Sequence, residues 1–316
     1  MRIEFRPSFE SVPEAPGAAE APDVTVFARE GGGTPASASL WWRDTPDWRA
    51  DRTAFLGHYR CEPGRGDAAA ALLAACCEAA SAAGVRAVIG PIDGSTWSAY
   101  RWVTWSGGEP AFPLEPHHPD EWRGQFEAAG FTPCASYHST RCDDLSVRDS
   151  RLDRVRRRLD PLGVHLRTFD PARFESELRP LHALSLRSFR GNRFYTDLSW
   201  ESFHASYAAF GSLIDSRLVW LAEDPVGLVG FVFGYPCPAV DERPPTVVLK
   251  TLAIEPGGRF AGLGGVLLEQ FHAAAAGSGA QRVIHALMED GNPSRNLSAR
   301  HGRVIRRYAL YVRPVP

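Results

Sequence analysis

The residues best suited to chemistry lie between Val247 and Met288. There Arg259-Phe260-Ala261-Gly262-Leu263-Gly264-Gly265 follows an apolar run, Val247 to Ile254, and a turn, Glu255-Pro256-Gly257-Gly258. Behind the glycines, Val266, Leu267, Gln270, Phe271 and Ala274 recur at three- and four-residue spacings, which predicts a helix closed by Gly277-Ser278-Gly279. A second apolar strand begins at Val283. Strand, glycine turn, helix and strand together suit the binding of an anion. Glycines without Cβ let successive N–H groups face one concavity. The first helical turn adds unpaired donors and the positive end of its dipole, and Arg259 adds a charge-assisted bond to a phosphate. The spacing is not that of a Walker A loop, which needs Gly-Lys-Ser/Thr, nor the G-x-G-x-x-G of a dinucleotide fold.

Stepping outward, the elements that would hold this loop occur twice. Cys61-Glu62-Pro63-Gly64, an Ala/Leu helix opened by Asp67, and Gly84-Val85-Arg86-Ala87-Val88-Ile89 parallel Ile254-Glu255-Pro256-Gly257, the second helix, and Gly279-Ala280-Gln281-Arg282-Val283-Ile284. The Glu-Pro-Gly units stand 193 residues apart (62 to 255) and the glycines 195 (84 to 279). A nearly constant offset over four elements argues for an internal duplication of domain size. The first copy has Gly64-Arg65-Gly66-Asp67 in place of the longer loop, with a carboxylate where a phosphate would sit.

The second loop resembles the pyrophosphate loop of the GNAT N-acetyltransferases, Arg/Gln-x-x-Gly-x-Gly/Ala, through Arg259, Gly262 and Gly264. Its place after a strand ending in Glu-Pro and before a Leu-rich helix is also the family's. The resemblance is specific over 247–302 and architectural over the rest. It implies an α/β fold of the α+β, mixed-sheet kind, built as two tandem GNAT-like domains, each a mixed, mostly antiparallel sheet flanked by helices. The division is residues 1–145 as a degenerate copy, 146–162 as a linker helix, and 163–316 as the acetyl-CoA-binding copy. The first copy is expected to bind an acyl-CoA poorly or not at all.

Residue by residue, the resemblance implies acetyl-CoA as acyl donor and no metal. The backbone of Leu252, Ala253 and Ile254 would pair with the pantetheine arm, the N–H groups of Arg259, Phe260, Ala261, Gly262, Leu263, Gly264 and Gly265 would hold the pyrophosphate, and Asn292 would take the family's asparagine position. The chemistry implied is direct attack of an amine on the thioester. The family's tyrosine acid has no counterpart in the expected helix Ser294 to Arg300, so Tyr308 on the last strand is the remaining candidate, with packing as the alternative. The 190–196 loop falls where the family grips its acceptor. Phe194 and Tyr195 would line that site or pack the core. Lys250, the only lysine of the chain, would contact an anionic substrate or snorkel from a strand end. Spacing singles out none of Glu223, Glu269 and Glu289 as a base.

Composition narrows the function further. With 35 basic and 37 acidic residues in 316, the chain carries no global field for nucleic acid or an anionic membrane. Arg148 to Arg158 is interleaved with Asp149 and Asp153 and reads as a solvated helix face. The six cysteines show no zinc spacing, and His117-His118 lack a third ligand nearby in sequence. Trp97, Tyr100, Arg101, Trp102 and Trp105 would line a pocket or fill an aromatic core. Pro, Ala, Gly and Ser over 11–22 and 31–37 predict loops. No apolar run approaches ~20 residues and no signal peptide is visible, so a cytoplasmic protein is expected. The expected partner is a small-molecule or peptide amine, with neither nucleic acid nor membrane; the oligomeric state is not legible. Three other readings stand beside this one: a non-catalytic acyl-CoA sensor, a peptidyltransferase using aminoacyl-tRNA, which would need a basic channel, and an unrelated phosphate-binding α/β module, which would prefer free nucleotides to CoA.

Overall fold

The computed structural model describes residues 1–7, 21–208, 214–238, 244–291 and 302–316. In chain order, the first half runs β1 (Arg2–Pro7), β2 (Val24–Glu30), β3 (Gly33–Trp41), β4 (Thr53–Cys61), α1 (Gly66–Ala82), β5 (Ala87–Gly90), β6 (Trp102–Trp105), α2 (Asp120–Ala128) and β7 (Thr132–Cys142). After α3 (Arg151–Leu159) come β8 (His165–Thr168), α4 (Phe174–Phe189), α5 (Trp200–Ala208), β9 (Val219–Asp224), β10 (Gly227–Pro236) and β11 (Thr246–Ile254). The chain then forms α6 (Leu263–Gly277), β12 (Arg282–Glu289) and β13 (Arg303–Pro314).

The same unit is built twice. Strands β1 to β4, and again β8 to β11, pair antiparallel in order. Each set crosses over through a helix to a strand that runs parallel, β5 beside β4 and β12 beside β11. β4 and β11 stand 193 residues apart at both ends (53 to 246, 61 to 254). Their crossover helices bury matching stripes. Ala68, Leu72, Cys76 and Ala80 of α1, and Leu263, Leu267, Phe271 and Ala275 of α6, each recur every fourth residue and are wholly buried. Full burial of a Leu or Phe contributes about 1.5–3 kcal/mol, so these stripes, more than helix propensity, hold the helices on the sheet.

The last strands change places. β7, from the first half, pairs with β12, while β13 crosses to lie between β5 and β7. The result is one 13-stranded mixed sheet, ordered β1-β2-β3-β4-β5-β13-β7-β12-β11-β10-β9-β8, with β6 also on β13. Each copy's sheet is therefore completed by a strand from the other half, which pairs edges that would otherwise stand open. Between the halves, α3 docks on α6 through buried Leu152 and Leu159, and Arg156 and Arg148 pair with Glu269.

Two expectations need correction here. Residues 31–37, expected as loop, are a two-residue turn at Gly31 and Gly32 (φ 55° and 84°) followed by β3 from Gly33. Strands β1 and β2 were not expected at all. Under α1 the inward residues of β3 include Ala36 and Ala38, whereas β2 turns Val24, Val26 and Ala28 to the same core and β1 buries none of its residues. Small residues under a helix look like a loop by composition. The stretch 11–20 lies outside the described residues.

One ion-pair network fixes the far edge of the sheet. Arg167 on β8 donates through Nη2 and Nε to both carboxylate oxygens of Glu223 on β9 (2.6 and 2.9 Å), and through Nη1 to buried Glu177 of α4 (2.9 Å). The bonds from Arg167 hold the Glu223 carboxyl below its ordinary value of 4.5. A carboxylate favoured in the folded state adds stability above that ordinary value and loses it as pH falls through the lower folded one. The melting temperature should thus decline below about pH 4.5, and less steeply in Glu223→Gln. Identical slopes for the two proteins would contradict this assignment.

Candidate active site between the splayed strands

β11 and β12 pair only from Thr246 and Arg282 to Leu249 and His285, then diverge. Both strands carry the irregularity that opens them. On β11, Leu249 faces Gly234 and Thr251 faces Phe233, which leaves Lys250 as the extra residue of a β-bulge. On β12, the register shifts between His285 and Met288, and Leu287 has φ +63°. The Leu287 peptide is clamped from both sides: its N–H donates to Ser139 Oγ (3.0 Å), and its carbonyl accepts from Arg101 Nη1 (3.0 Å). Arg101 is itself left-handed at φ +73°. Such conformations cost of order 1–3 kcal/mol each outside glycine and gather at functional sites.

The divergence opens a cavity of about 800 Å³ lined by residues 249–252 of β11 and 285–289 of β12. Residues 96–101 and Tyr137 from the first half form its opposite wall, and Phe189, Arg193 and Tyr195 close it from the second. The cavity therefore belongs to the place where the two halves meet.

From the end of β11 the chain enters the glycine loop. Gly257, Gly258 and Gly262 have φ of 99°, 82° and 86°, values that L side chains rarely adopt. Gly262 caps α6, and the N–H groups of Ala261 and Leu263 close tight turns onto Gly258 and Phe260 (3.0 Å each). Phe260 and Leu263 are buried, Gly264 and Gly265 sit in the buried first turn, and Ala261 and Gly262 are exposed. Arg259 reaches Asp224 at 3.5 Å and lies over the Phe260 ring. The interdomain helix leans on this loop: Arg158 donates to the Ala261 carbonyl, and a Cβ at Gly262 would lie 2.9 Å from Val155.

The other residues singled out by sequence scatter. Leu252 lines the cavity and Ile254 is half-buried, while Ala253 is buried in the core beside α4. Asn292 and the Ser294 to Arg300 helix lie outside the described residues. Tyr195 lines the cavity and donates to the Leu186 carbonyl, but Phe194 is buried edge-on against Phe55 in the core between the copies. Trp97, Tyr100 and Arg101 line the cavity, whereas Trp102 is core and Trp105 exposed. Among the carboxylates, Glu223 is taken by Arg167, Glu269 by Arg156, and Glu289 by Arg193.

Tyr308 is 1 % exposed and is not among the cavity's lining residues. Its hydroxyl donates to Glu115 Oε1 (2.6 Å) and lies 3.0 Å from Ser139 Oγ. Burial, then the charge of Glu115, pushes its phenol well above the usual range. Glu115 in turn takes a two-pronged bond from Arg306 (2.7 and 3.1 Å), whose remaining nitrogen donates to the Ser106 and Glu109 carbonyls. This buried network was not legible in the sequence, since its members are 193 residues apart in chain position (115 to 308). Cys142, His272 and His285 form another. All three are buried, their ligand atoms lie within 4.8 Å of one another, and the two imidazoles hydrogen-bond at 2.9 Å. They are the described residues best placed to hold a metal, although hydrogen bonding alone accounts for their approach.

In the first copy the corresponding place is filled. The turn after β5 returns to β4, with Ile92 N–H donating to the Leu56 carbonyl (2.8 Å) and Asp93 accepting from His58 N–H (2.6 Å). Gly57, which stands where the second copy has Lys250 (57 to 250), has no room for a Cβ, because the Ile92 carbonyl occupies it. At the start of α1, Arg65 is neutralised by Asp67 and Glu30.

Antiparallel strands, a crossover helix after a glycine loop, and a parallel strand that splays away, all repeated in one chain, define a tandem GNAT fold. No family model matches the chain, and no curated protein does. Many solved GNAT structures share the fold. A probable N-acyltransferase from Enterococcus faecalis V583 is 11 % identical with a TM-score of 0.56, over 99 % of this chain and 72 % of that one. A tandem GNAT protein from the clavulanic acid biosynthesis pathway is 17 % identical with a TM-score of 0.50, over 99 % and 98 %. The glucosamine N-acetyltransferase region of a fungal multi-domain GH3 β-N-acetylglucosaminidase is 16 % identical with a TM-score of 0.52, over 92 % of this chain and 33 % of that one. The chain thus spans only a third of the fungal protein. At these identities the likeness is one of fold. Among the described residues, no helix is long and apolar enough to cross a membrane.

Proposed function

We propose that the protein is an acetyl-CoA-dependent N-acyltransferase whose cofactor binds the second copy, residues 163–316, and whose first copy is structural. One observation carries this reading: the opening between β11 and β12 lies on the strand that leads into the glycine loop and the N-terminus of α6. The residues present fit the cofactor. Leu252 lines the opening where the pantetheine arm would run, while the Ile254 N–H already donates to Ser188 Oγ (3.3 Å), and exposed Gly262 would let a pyrophosphate approach the loop N–H groups that the turns at Ala261 and Leu263 leave over. Bound there, acetyl-CoA would supply the activated acyl group. An acceptor nitrogen held beside it would form the new C–N bond as the C–S bond breaks, with the proton given up by the amine passing to the leaving thiolate. A cavity at the strand divergence brings the two reactants together, which by itself lowers the barrier substantially. Tyr308, committed to Glu115, has no part in this transfer.

Calorimetric titration should show one acetyl-CoA per chain, because the first copy's opening is filled by its own turn. Thiol release should then follow addition of an amine acceptor. Two equivalents bound would overturn the assignment of the first copy. No binding would overturn the whole reading, and binding without release from a broad amine panel would mark a sensor.

A further inference from the structure

Resting on the acyl-transfer reading, we propose that the acceptor is an amine that also carries a carboxylate, and that Lys250 recognises that carboxylate. The first observation is where Lys250 sits. It is the bulged residue at the last point of parallel pairing between β11 and β12, so it stands at the apex of the opening. A bulge turns a side chain out of the strand's alternation, and this one carries a long ammonium among the cavity's lining residues. The ammonium lies over the Tyr207 ring at 5.7 Å, an arrangement that steadies it without consuming its charge.

The second observation is the balance of charge. Glu115 at the cavity wall is matched by Arg306, and Glu289 by Arg193. Lys250 and Arg101 have no carboxylate partner among the described residues. Arg101 is buried between the Tyr100 and Tyr137 rings (3.6 and 4.3 Å), and its Nε has no hydrogen-bond partner among the described residues. Among the described residues, the cavity of this near-neutral chain thus holds two positive charges that no carboxylate matches. In such a cleft field lines are focused, and an anionic ligand is drawn in. The same field disfavours an ammonium, so an acceptor amine is held nearer the neutral form that attacks a thioester. A carboxylate-bearing amine satisfies both requirements, whereas a simple cationic amine satisfies neither.

The third observation is the contrast between copies. At the position of Lys250 the first copy has Gly57, with its surroundings packed solid. The lysine appears where the cavity does.

The test compares matched acceptors, glycine with glycinamide and phenylalanine with phenylalaninamide, by thiol release from acetyl-CoA in wild type, Lys250→Gln and Lys250→Arg. Wild type should favour the carboxylate member by about tenfold or more in kcat/KM, the scale of one charged hydrogen bond. That preference should vanish in Lys250→Gln, return in part in Lys250→Arg, and weaken with added salt. Turnover of the amides equal to or better than that of the carboxylates overturns the proposal, as does turnover of none of the four. Acetyl-CoA binding, measured calorimetrically on the same preparations, separates the failures. If it persists, the acceptor assignment alone has fallen; if it is absent, the acyl-transfer reading has fallen too. Equal melting temperatures for the three proteins exclude misfolding as the cause.

Discussion

Replacing Glu115 by alanine should lower the unfolding free energy by about 3–5 kcal/mol, the usual cost of leaving one partner of a buried ion pair alone. The Glu115 and Arg306 side chains are 2 % and 4 % exposed. Every polar atom between them is satisfied: Glu115 Oε1 accepts from Arg306 Nε and Tyr308, and Oε2 accepts from Arg306 Nη2 and the Phe112 N–H (3.3 Å). In the alanine variant the guanidinium keeps its two carbonyl partners but loses its counter-ion. Since Arg306 and Tyr308 lie on β13, the damage falls on the strand that crosses into the first copy's sheet. It also reaches the cavity, because Tyr308 meets Ser139 and Ser139 holds the Leu287 peptide. Urea unfolding is the measurement. A loss under about 1 kcal/mol, typical of an exposed pair, would show that water enters this site. Tyr308→Phe removes one charged hydrogen bond and should cost less, about 1.5–3 kcal/mol, while leaving thiol release active.

Introducing a carboxylate into the glycine loop should abolish the stabilisation that acetyl-CoA confers. At about 100 times its dissociation constant a ligand adds about 2.7 kcal/mol to the folded state. The structure selects the position. Gly262→Asp would place a Cβ against Val155 at a backbone φ of +86°, so lost binding could not be told from lost packing. Ala261 is exposed at the same turn, just before the cap of α6. An acid beside a helix N-terminus is itself tolerated or mildly stabilising. Ala261→Asp should therefore melt as wild type does without ligand, and should lose the upward shift with acetyl-CoA. A shift that survives in Ala261→Asp would place the pyrophosphate elsewhere.

The two proteins compared in each experiment share a fold whose local parts were readable in advance. The stripe on α6, the strand and turn before it, the glycines needing positive φ, and the offset between copies all depend on residues near one another in the chain. Periodicity and turn chemistry are local, and so they survive in a bare sequence. β2 does alternate Val24, Val26 and Ala28 inward, a short period-two signal set among Pro-, Ala- and Gly-rich neighbours, while β1 buries none of its residues and so carries no such signal.

What joined the copies was decided only in three dimensions. Whether β7 or β13 completes a given sheet depends on which edges meet, and strand pairing across 141 residues (142 to 283) or more leaves no periodic mark. The same holds for the site. Lys250 was visible as the only lysine, but its place at a bulge on the apex of the opening follows from the register of β10 against β11. Tyr308 was visible as a tyrosine on the last strand, and its engagement by Glu115 follows from how 106–116 packs on β13. The amino-acid sequence by itself determined the elements and the anion-suited loop, because those arise from neighbours a few residues apart. The tertiary structure decided which charges are neutralised and which face the cavity, because burial and counter-ions are properties of segments that meet only when the chain is folded.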